Sequence, residues 1–263
     1  MRGSSDLKSC CAAGYESEFA RILLGDSFHP GGLALTARLG ELLELKAGQR
    51  ILDVAAGKGE SAIFLAKRFG CEVVGIDFGA NNVAEATLRA ESAGAASLVQ
   101  FHQGDAEQLD LPAHIFDAVI CECAFCTFPD KTAAAKEFAR LVRPGGRVGL
   151  SDLTRTGSLP SQLEGLLAWI ACIGDARPAA DYADYLGQAG FRVALIEQHD
   201  QSLAQLISDI RMRLLSAELM VRLKKLEVPF SDFGQAKDLA RAASDAVRAG
   251  TLGYSLLTAT LSF

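Results

Sequence analysis

From residue 50 onward, short apolar segments alternate with amphipathic segments of helical period. The apolar segments are rich in Val, Ile and Leu, so we expect strands that are buried on both faces. Strands of this kind, separated by helices, form a parallel sheet with right-handed connections, as in doubly wound folds. The predicted strands are Arg50–Val54, Glu72–Ile76, Leu98–His102, Phe116–Cys121, Arg147–Leu150, Phe191–Glu197 and Gly253–Leu261. The predicted helices between the first five strands are Ser61–Phe69, Val83–Ala93 and Thr132–Val142.

Helical patterns also flank this alternating region. They are Leu33–Leu45, Gln162–Cys172, Asp181–Ala189, Ser202–Lys225 and Phe233–Arg248, the last two forming an insertion before the last strand. Because no internal repeat or linker interrupts the chain, we expect a single domain over residues 1–263. Its parts are an N-terminal helical lid segment (1–47), a core (48–153) and a second half (154–263) with the helical insertion at about 200–250. The fold class is α/β, a doubly wound, seven-stranded, mostly parallel sheet.

Charge and hydropathy exclude several classes of partner. Lys and Arg number 26 against 32 Asp and Glu, a net charge of −6, so we expect no nucleic-acid partner. The uncharged stretches Gly165–Gly174 and Ala249–Phe263 are shorter than the roughly 20 residues that a membrane span needs. The first 19 residues carry charges and no apolar run, unlike a signal peptide. We therefore expect a cytoplasmic protein without a membrane partner, and the sequence indicates no particular oligomeric state.

The cysteines are odd in number and unevenly placed. Without a signal peptide, the seven cysteines are expected to be thiols. Cysteine is among the most buried residue types, so a core role stays open for each of them. The single C-x-x-C at Cys123 and Cys126 lacks a second pair, and the histidines have no ligand spacing, so no metal site is predicted. The cysteines are Cys10, Cys11, Cys71, Cys121, Cys123, Cys126 and Cys172.

Glycines and acidic residues follow three successive predicted strands. In Asp53–Glu60 (DVAAGKGE) the glycines allow close approach of a ligand to the backbone, and the next helix supplies free N–H groups. Asp77 ends the second strand, 20 residues after Gly57, where a carboxylate can accept from ribose hydroxyls. After the third strand, Asp105 can accept from an exocyclic amine while Ala106 N–H donates to a ring nitrogen. Each residue alone fits a turn or a helix cap, but together they predict a nucleoside site.

These segments resemble the class I S-adenosylmethionine-dependent methyltransferases, which have a Rossmann-like fold. The matching segments are ILDVAAGKGE (51–60), VVGIDFG (73–79), GDAEQLDLP (104–112), FDAVICECAF (116–125) and RPGGRVGLSDL (143–153). The resemblance implies S-adenosylmethionine as cofactor, with 48–153 as the cofactor-binding core. A dehydrogenase fits less well, because its G-x-G-x-x-G pattern is absent. The cofactor-binding residues that the resemblance implies are Asp53, Ala55, Gly57, Gly59, Asp77, Phe78, Asp105, Ala106 and Cys121, with Ala55 standing where the family often has a third Gly.

Within this family, residues 116–131 and 169–191 most resemble the arsenite methyltransferases, with the small-molecule methyltransferases of ubiquinone biosynthesis also similar. The resemblance implies that Cys123 and Cys172 are thiolates that bind As(III), and that Cys10 and Cys11 supply a relay thiol. Soft thiolates suit a soft, thiophilic acceptor. Glu122 stands where those enzymes usually have Asn, and a carboxylate there would raise the pKa of the neighbouring thiol.

Other interpretations of the acceptor side remain open. One alternative is methyl transfer to a carbon, oxygen or nitrogen centre of an organic metabolite, with His29 or Glu122 as a base; His29 also fits a capping role. A remoter alternative is a non-catalytic module that binds a nucleoside or a soft metal. Tyr15 and Trp169 fit either a pocket lining or packing. Residues 1–30 are expected to close over the cofactor. On the insertion, a basic stretch fits either a solvated face or an anionic ligand: Arg211, Arg213, Arg222, Lys224 and Lys225.

Overall fold

A seven-stranded sheet is the centre of the structure. The computed structural model describes Lys8, residues 29–163, Ala168, residues 171–225 and residues 233–262. The sheet order is β3-β2-β1-β4-β5-β7-β6, with β7 antiparallel to both of its neighbours and the other pairs parallel. This confirms the predicted fold class. The strands are β1 (Arg50–Val54), β2 (Glu72–Asp77), β3 (Val99–Gln103), β4 (Phe116–Glu122), β5 (Val142–Arg155), β6 (Phe191–Gln198) and β7 (Leu252–Leu261).

Helices connect the strands close to the predicted positions. They are α1 (Gly32–Leu42), α2 (Glu60–Phe69), α3 (Ala80–Ser92), α4 (Lys131–Leu141), α5 (Ala179–Gln188), α6 (Asp200–Arg222) and α7 (Phe233–Arg248), with 3-10 turns at Phe125–Thr127 and Ser161–Leu163. Of the helix predicted over Gln162–Cys172, the structure describes a 3-10 turn at the start, a helical Ala168 and a turn at Cys172, and the residues between them lie outside the described ranges. Cys10, Cys11, Tyr15 and Trp169 lie outside the described residues.

The inner strands are buried on both faces, as their apolar runs predict. Ile51 and Leu52 in β1 are both inaccessible, although their side chains point to opposite faces of the sheet. On one face, α1 packs closely over β5 at Gly149. A Cβ atom there would lie 2.8 Å from Leu39 Cδ1 and 2.9 Å from Leu43 Cδ1. This close packing places α1 directly beside the carboxyl end of β4.

Strand β5 is much longer than the predicted segment Arg147–Leu150. It continues to Arg155, because β7 pairs with it antiparallel along this whole length, ending at the pair Arg155 and Leu252. The polar pair Ser151 and Asp152 obscures the strand in the sequence, yet both residues are fully buried. Their polar groups are satisfied within the fold, since Tyr254 Oη donates to Ser151 Oγ at 2.9 Å and Asp152 accepts backbone N–H groups.

Candidate functional site

The loop after β1 turns the chain sharply at the carboxyl edge of the sheet. Ala55, Gly57 and Gly59 have left-handed φ angles of 60°, 53° and 78°. Glycine adopts this conformation freely, whereas for alanine it costs about 1–2 kcal/mol. A Cβ at Gly59 would lie 2.4 Å from the Phe101 ring, and Gly59 is the residue before α2. Gly59 is therefore required for packing and for the start of the helix.

A cavity lies where the four parallel strands β1 to β4 end. The space between its walls is about 1180 Å³ with its open mouth included. Gly59, Cys121 and Cys172, which the sequence assigned to the site, are not among its lining residues. The sequence-predicted site residues that do line it are Asp53, Ala55, Gly57, Asp77, Phe78, Asp105, Ala106, Glu122 and Cys123.

Asp53 is the most buried acidic group of the cavity wall. Its residue is 2% exposed, and among the described residues its Oδ2 atom has no hydrogen-bond partner. Burial, together with the charges of Glu122 and Asp77, holds the pKa of Asp53 well above its ordinary value. Leaving a buried carboxyl oxygen unsatisfied is costly. The cavity therefore favours a cationic or hydrogen-bond-donating ligand at this position.

Asp77 is fixed by the backbone on both of its oxygens. Gly57 N–H donates to Oδ2 at 2.8 Å, and Gly79 N–H donates to Oδ1 at 2.8 Å. Asn82 Nδ2 also donates to Oδ1, at 3.1 Å. Each carboxylate oxygen has two lone pairs, and Asp77 lines the cavity. Its carboxylate is therefore held in one orientation at the cavity wall.

Asp105 lies at the cavity end formed by β3 and is paired with a residue of the N-terminal region. Lys8 Nζ lies 2.7 Å from Asp105 Oδ2 and also contacts Glu107. Lys8 and Asp105 both line the cavity, as does Ala106. The predicted base-contacting residues are thus beside one another, and one of them already holds a cation from the chain itself.

Glu122 ends β4 and accepts hydrogen bonds from two helices. Ser61 Oγ donates to it at 2.6 Å from α2, and Thr36 Oγ1 donates at 3.1 Å from α1. His29 Nε2 lies 3.7 Å from the same carboxylate. Ser61 and Thr36 were missed by the sequence analysis. Hydrophobic periodicity gave no signal for them, because Ser61 and Thr36 lie 61 and 86 residues from Glu122 in the sequence.

Three cysteines meet beside the end of β4. Cys172 Sγ donates to the carbonyl oxygen of Cys123 at 3.1 Å, and its side chain also hydrogen-bonds the thiols of Cys123 and Cys126. The contact with Cys172, and then burial, raises the pKa of the Cys123 thiol. Burial, and then the contact with Cys172, raises that of Cys126. We call these residues the thiol cluster; its third member was visible in the sequence only as half of a C-x-x-C pair.

The thiol cluster is anchored on β5. Cys123 N–H donates to the Ser151 carbonyl at 2.6 Å, and Cys126 N–H donates to Asp152 Oδ2 at 2.8 Å. Cys121, two residues earlier, is inaccessible within β4, and burial raises the pKa of its thiol. No group of three or more His, Cys, Asp or Glu side chains within the described parts of the chain is arranged to hold a metal ion.

Comparisons with known proteins agree with this architecture. The family described as "Methyltransferase domain" matches residues 51–146. An arsenite methyltransferase of Aquipseudomonas alcaligenes is 30% identical over 255 residues, covering 90% of this chain and 73% of that protein. This chain belongs to the S-adenosylmethionine-dependent methyltransferases. The resemblance found in the sequence is thereby confirmed.

Other methyltransferases are similar to this one over most of its length. Phosphoethanolamine N-methyltransferase 1 of Zea mays is 29% identical over 217 residues, which are 80% of this chain and 39% of that protein. This methyltransferase thus spans about two fifths of that relative's length. The solved phosphoethanolamine N-methyltransferase 2 of Haemonchus contortus shares the fold with a TM-score of 0.82 at 18% identity, covering 100% of this chain and 61% of that one. The named acceptors of these relatives differ, so the acceptor has to be argued from this chain's own residues.

Proposed function

We propose that this methyltransferase methylates a small thiophilic acceptor, arsenite, held by Cys123 and Cys172. The observation that carries the proposal is the contact between Cys123, which lines the cavity, and Cys172 Sγ, which is buried directly behind it. Thiolates are soft ligands and select soft acceptors over oxygen or nitrogen centres. A cytoplasmic location belongs to the same proposal, because that compartment keeps thiols reduced.

The cavity fits a cationic nucleoside cofactor. S-adenosylmethionine would supply a methyl group on a positively charged sulfur, so that an acceptor electron pair could attack the methyl carbon in line while the neutral sulfide leaves. We assign the methionine part to Asp53, Ala55 and Gly57, because the unsatisfied Asp53 Oδ2 suits a cationic group and the left-handed loop permits close approach. Glu122 adds a second carboxylate to that end of the cavity, and its two hydroxyl partners hold it in place.

The nucleoside part is assigned to the next two strand ends. Asp77, with its orientation fixed by the backbone, accepts from the ribose hydroxyls, and Phe78 lines the same part of the cavity. Asp105 and Ala106 receive the adenine ring by its amine and ring nitrogen. Gly59 and Cys121 do not line the cavity, so we assign neither of them a direct contact with the cofactor.

The N-terminal region has a part in the proposal through Lys8. Its ammonium group pairs with Asp105 in the cavity, 97 residues away in the chain. Apart from Lys8, His29 and Pro30, residues 1–30 lie outside the described ranges. We propose on the Lys8 contact that this segment serves as a lid, which would exclude water from the sulfonium and hold the reactants in position. Binding of the adenine amine at Asp105 then requires Lys8 to share or release that carboxylate.

The thiols hold the acceptor by ordinary condensation. Each As–S bond forms as one thiol proton joins an arsenic-bound hydroxyl group and leaves as water. The contact with Cys172 and burial raise the pKa of the Cys123 thiol, which favours the protonated form that this condensation consumes. Arsenic bound in this way keeps its lone pair, which is the electron pair that methyl transfer requires. Cys126 adds a third thiol next to Cys172.

A second candidate acceptor is an oxygen or nitrogen centre of an organic metabolite. The observation that favours it is the polar group around Glu122, with His29 Nε2 at 3.7 Å from the carboxylate. Both side chains line the cavity, where one could remove a proton from a hydroxyl or ammonium acceptor. In this candidate the thiol cluster is only part of the packing.

The test is release of S-adenosylhomocysteine by the purified protein, with a reducing thiol present and with or without arsenite. Arsenite-dependent release supports the thiol-held acceptor. Release that requires an ethanolamine or a phenolic acceptor, and is indifferent to arsenite, supports the second candidate. The two outcomes also differ in their response to a Cys172→Ser substitution, which abolishes only the first activity.

A further inference from the structure

Helix α6 presents large apolar side chains to solvent along one side. Leu215 is 52% exposed and Leu219 is 57% exposed. Spacings of three and four residues place such side chains in one stripe along a helix. The opposite side of α6 is the one that packs inward, where Leu214 and Ala217 form a small core with α7. The stripe consists of Met212, Leu215, Leu219, Met220 and Leu223, all exposed by 40% or more.

Basic residues border this stripe on both sides. With 100° per residue in an α-helix, Arg211 and Arg222 fall along one border and Arg213 falls along the other. Lys224 follows the end of the helix, with a left-handed φ of 55°. Glu218 is the one acidic residue between positions 211 and 225 of the sequence, against five basic ones. An apolar stripe flanked by Arg and Lys is the pattern of helices that lie in a membrane interface.

We propose that the α6 stripe docks on the surface of a bilayer that contains anionic lipids. Acyl chains would cover the leucine and methionine side chains, and the lipid headgroups would face the basic borders. No helix in the described ranges is long and apolar enough to cross a bilayer, so the contact is parallel to the surface. This proposal departs from the expectation of no membrane partner, which rested on the lack of a segment long enough to span a bilayer.

The charges favour a bilayer over a second copy of the chain. In an antiparallel pair of α6 helices related by a twofold axis, each border of the stripe on one helix faces the same border on the other helix. Arg211 of one copy would then lie against Arg222 of the other, which is itself paired with Glu218 on its own helix at 2.7 Å. Like charges facing each other across an interface oppose association, whereas the same arginines are attracted to an anionic surface.

The experiment is co-sedimentation of the full-length protein with phosphatidylcholine vesicles, with and without phosphatidylserine. We expect binding that depends on phosphatidylserine and falls with salt. Replacing both Arg211 and Arg222 by Gln should weaken partitioning at least about fivefold at low salt, since a basic residue near the surface contributes about fivefold and Glu218 already offsets part of the charge of Arg222. The double variant Leu215→Gln, Leu219→Gln should lose at least about tenfold, because its apolar contact with the bilayer is removed.

The matched control is Leu88→Gln, because Leu88 is 63% exposed but lies on α3. This variant should bind vesicles like the wild type. Equal binding to both kinds of vesicle, or an equal loss in the Leu88 variant, would overturn the proposal. So would absence of vesicle binding together with a dimer in light scattering that the Leu215→Gln, Leu219→Gln variant dissociates, since that result assigns the stripe to a second copy.

Discussion

The Cys172 thiol donates a hydrogen bond to the backbone carbonyl of Cys123, with 3.1 Å between sulfur and oxygen across 49 residues of sequence. Both residues are in the left-handed region, with φ angles of 61° and 52°. Such a backbone costs about 1–3 kcal/mol at a residue other than glycine, and residues of this kind concentrate at functional sites. Two strained cysteines in direct contact therefore point to a function of the pair.

Loss of either thiol should remove arsenite methylation. Cys123→Ser and Cys172→Ser are each expected to lower arsenite-dependent turnover on the order of 100-fold or more, because a hydroxyl is a hard, poor ligand for a soft centre. The dissociation constant of S-adenosylmethionine should stay within about twofold, since neither thiol is assigned to the cofactor. Turnover and cofactor titration on the same preparations provide the check.

Cys71→Ser is the control for those two variants. Cys71 is fully buried, and its thiol donates to the Leu65 carbonyl at 3.5 Å, outside the cavity lining. Burial raises its pKa to about 11. The Cys71 variant should keep arsenite turnover. Equal turnover by all three variants and the wild type would return the thiol cluster to a packing role.

The carboxylate of Asp77 should determine cofactor affinity. Asp77→Asn keeps the shape of the side chain but removes the charge that strengthens its hydrogen bonds to ribose, so affinity should fall about 10–100-fold. Asp110→Asn is the matched control, because Asp110 is exposed and does not line the cavity. Isothermal titration of both variants measures the effect; wild-type affinity in Asp77→Asn would refute the ribose assignment.

Cofactor binding should release a proton from Asp53. Burial holds the pKa of this carboxyl well above its ordinary value, and a cation placed beside it lowers that pKa again. Affinity should therefore rise with pH through the range in which free Asp53 titrates. Binding enthalpies measured in buffers of different ionisation enthalpy would show the release, and the Asp53→Asn variant should lack that part. Identical buffer dependence in both proteins would contradict the assignment.

Asp152 should make the protein less stable at higher pH. Burial is the main cause that raises its folded-state pKa to about 7, so the folded state retains a proton that the unfolded chain has lost. The free energy of unfolding then falls as pH rises from about 4 to about 7 and is level above that. This group's share of the fall between about pH 5 and about pH 8 is on the order of 3 kcal/mol.

Urea unfolding of the wild type and of Asp152→Asn at about pH 5 and about pH 8 tests the contribution of Asp152 to this pH dependence. The variant loses part of its hydrogen bonding to the backbone, so its absolute stability is not the criterion. The criterion is the pH dependence, which should be smaller in the variant by the stated amount. An unchanged difference between the two pH values would show that Asp152 ionises normally.

Much of the cavity was predictable because parallel strands end at one edge. Asp53, Asp77 and Asp105 each follow or end a strand, so their convergence follows from the sheet alone. Gly59 was predicted to bind the cofactor, and the structure places it at the start of α2 and not among the residues that line the cavity. A glycine needed to start a helix and one needed to approach a ligand look the same in sequence. The packing role of Gly59 becomes visible only in the structure, because a Cβ atom added there would lie 2.4 Å from the ring of Phe101, 42 residues further along the chain.

The acceptor side was less predictable because its contacts come from distant segments. Cys121 and Cys123 are two residues apart, yet one is inside β4 and the other lies just past its end on the cavity wall. Thr36 donates to Glu122 from α1, and α1 packs closely over β5 at Gly149, where a side chain would collide with Leu39. Periodicity describes each element separately, and such contacts depend on how the elements pack.

Transfer of an isotopically labelled methyl group from S-adenosylmethionine to arsenite tests the central claim most directly. The purified protein, given the labelled cofactor, arsenite and a reducing thiol, should form labelled methylarsenic in step with S-adenosylhomocysteine, and the Cys123→Ser protein should form neither. The contradicting result is a wild-type protein that binds the cofactor and transfers no label to arsenite, but does transfer it to an organic acceptor. In that case the thiol cluster does not hold the substrate.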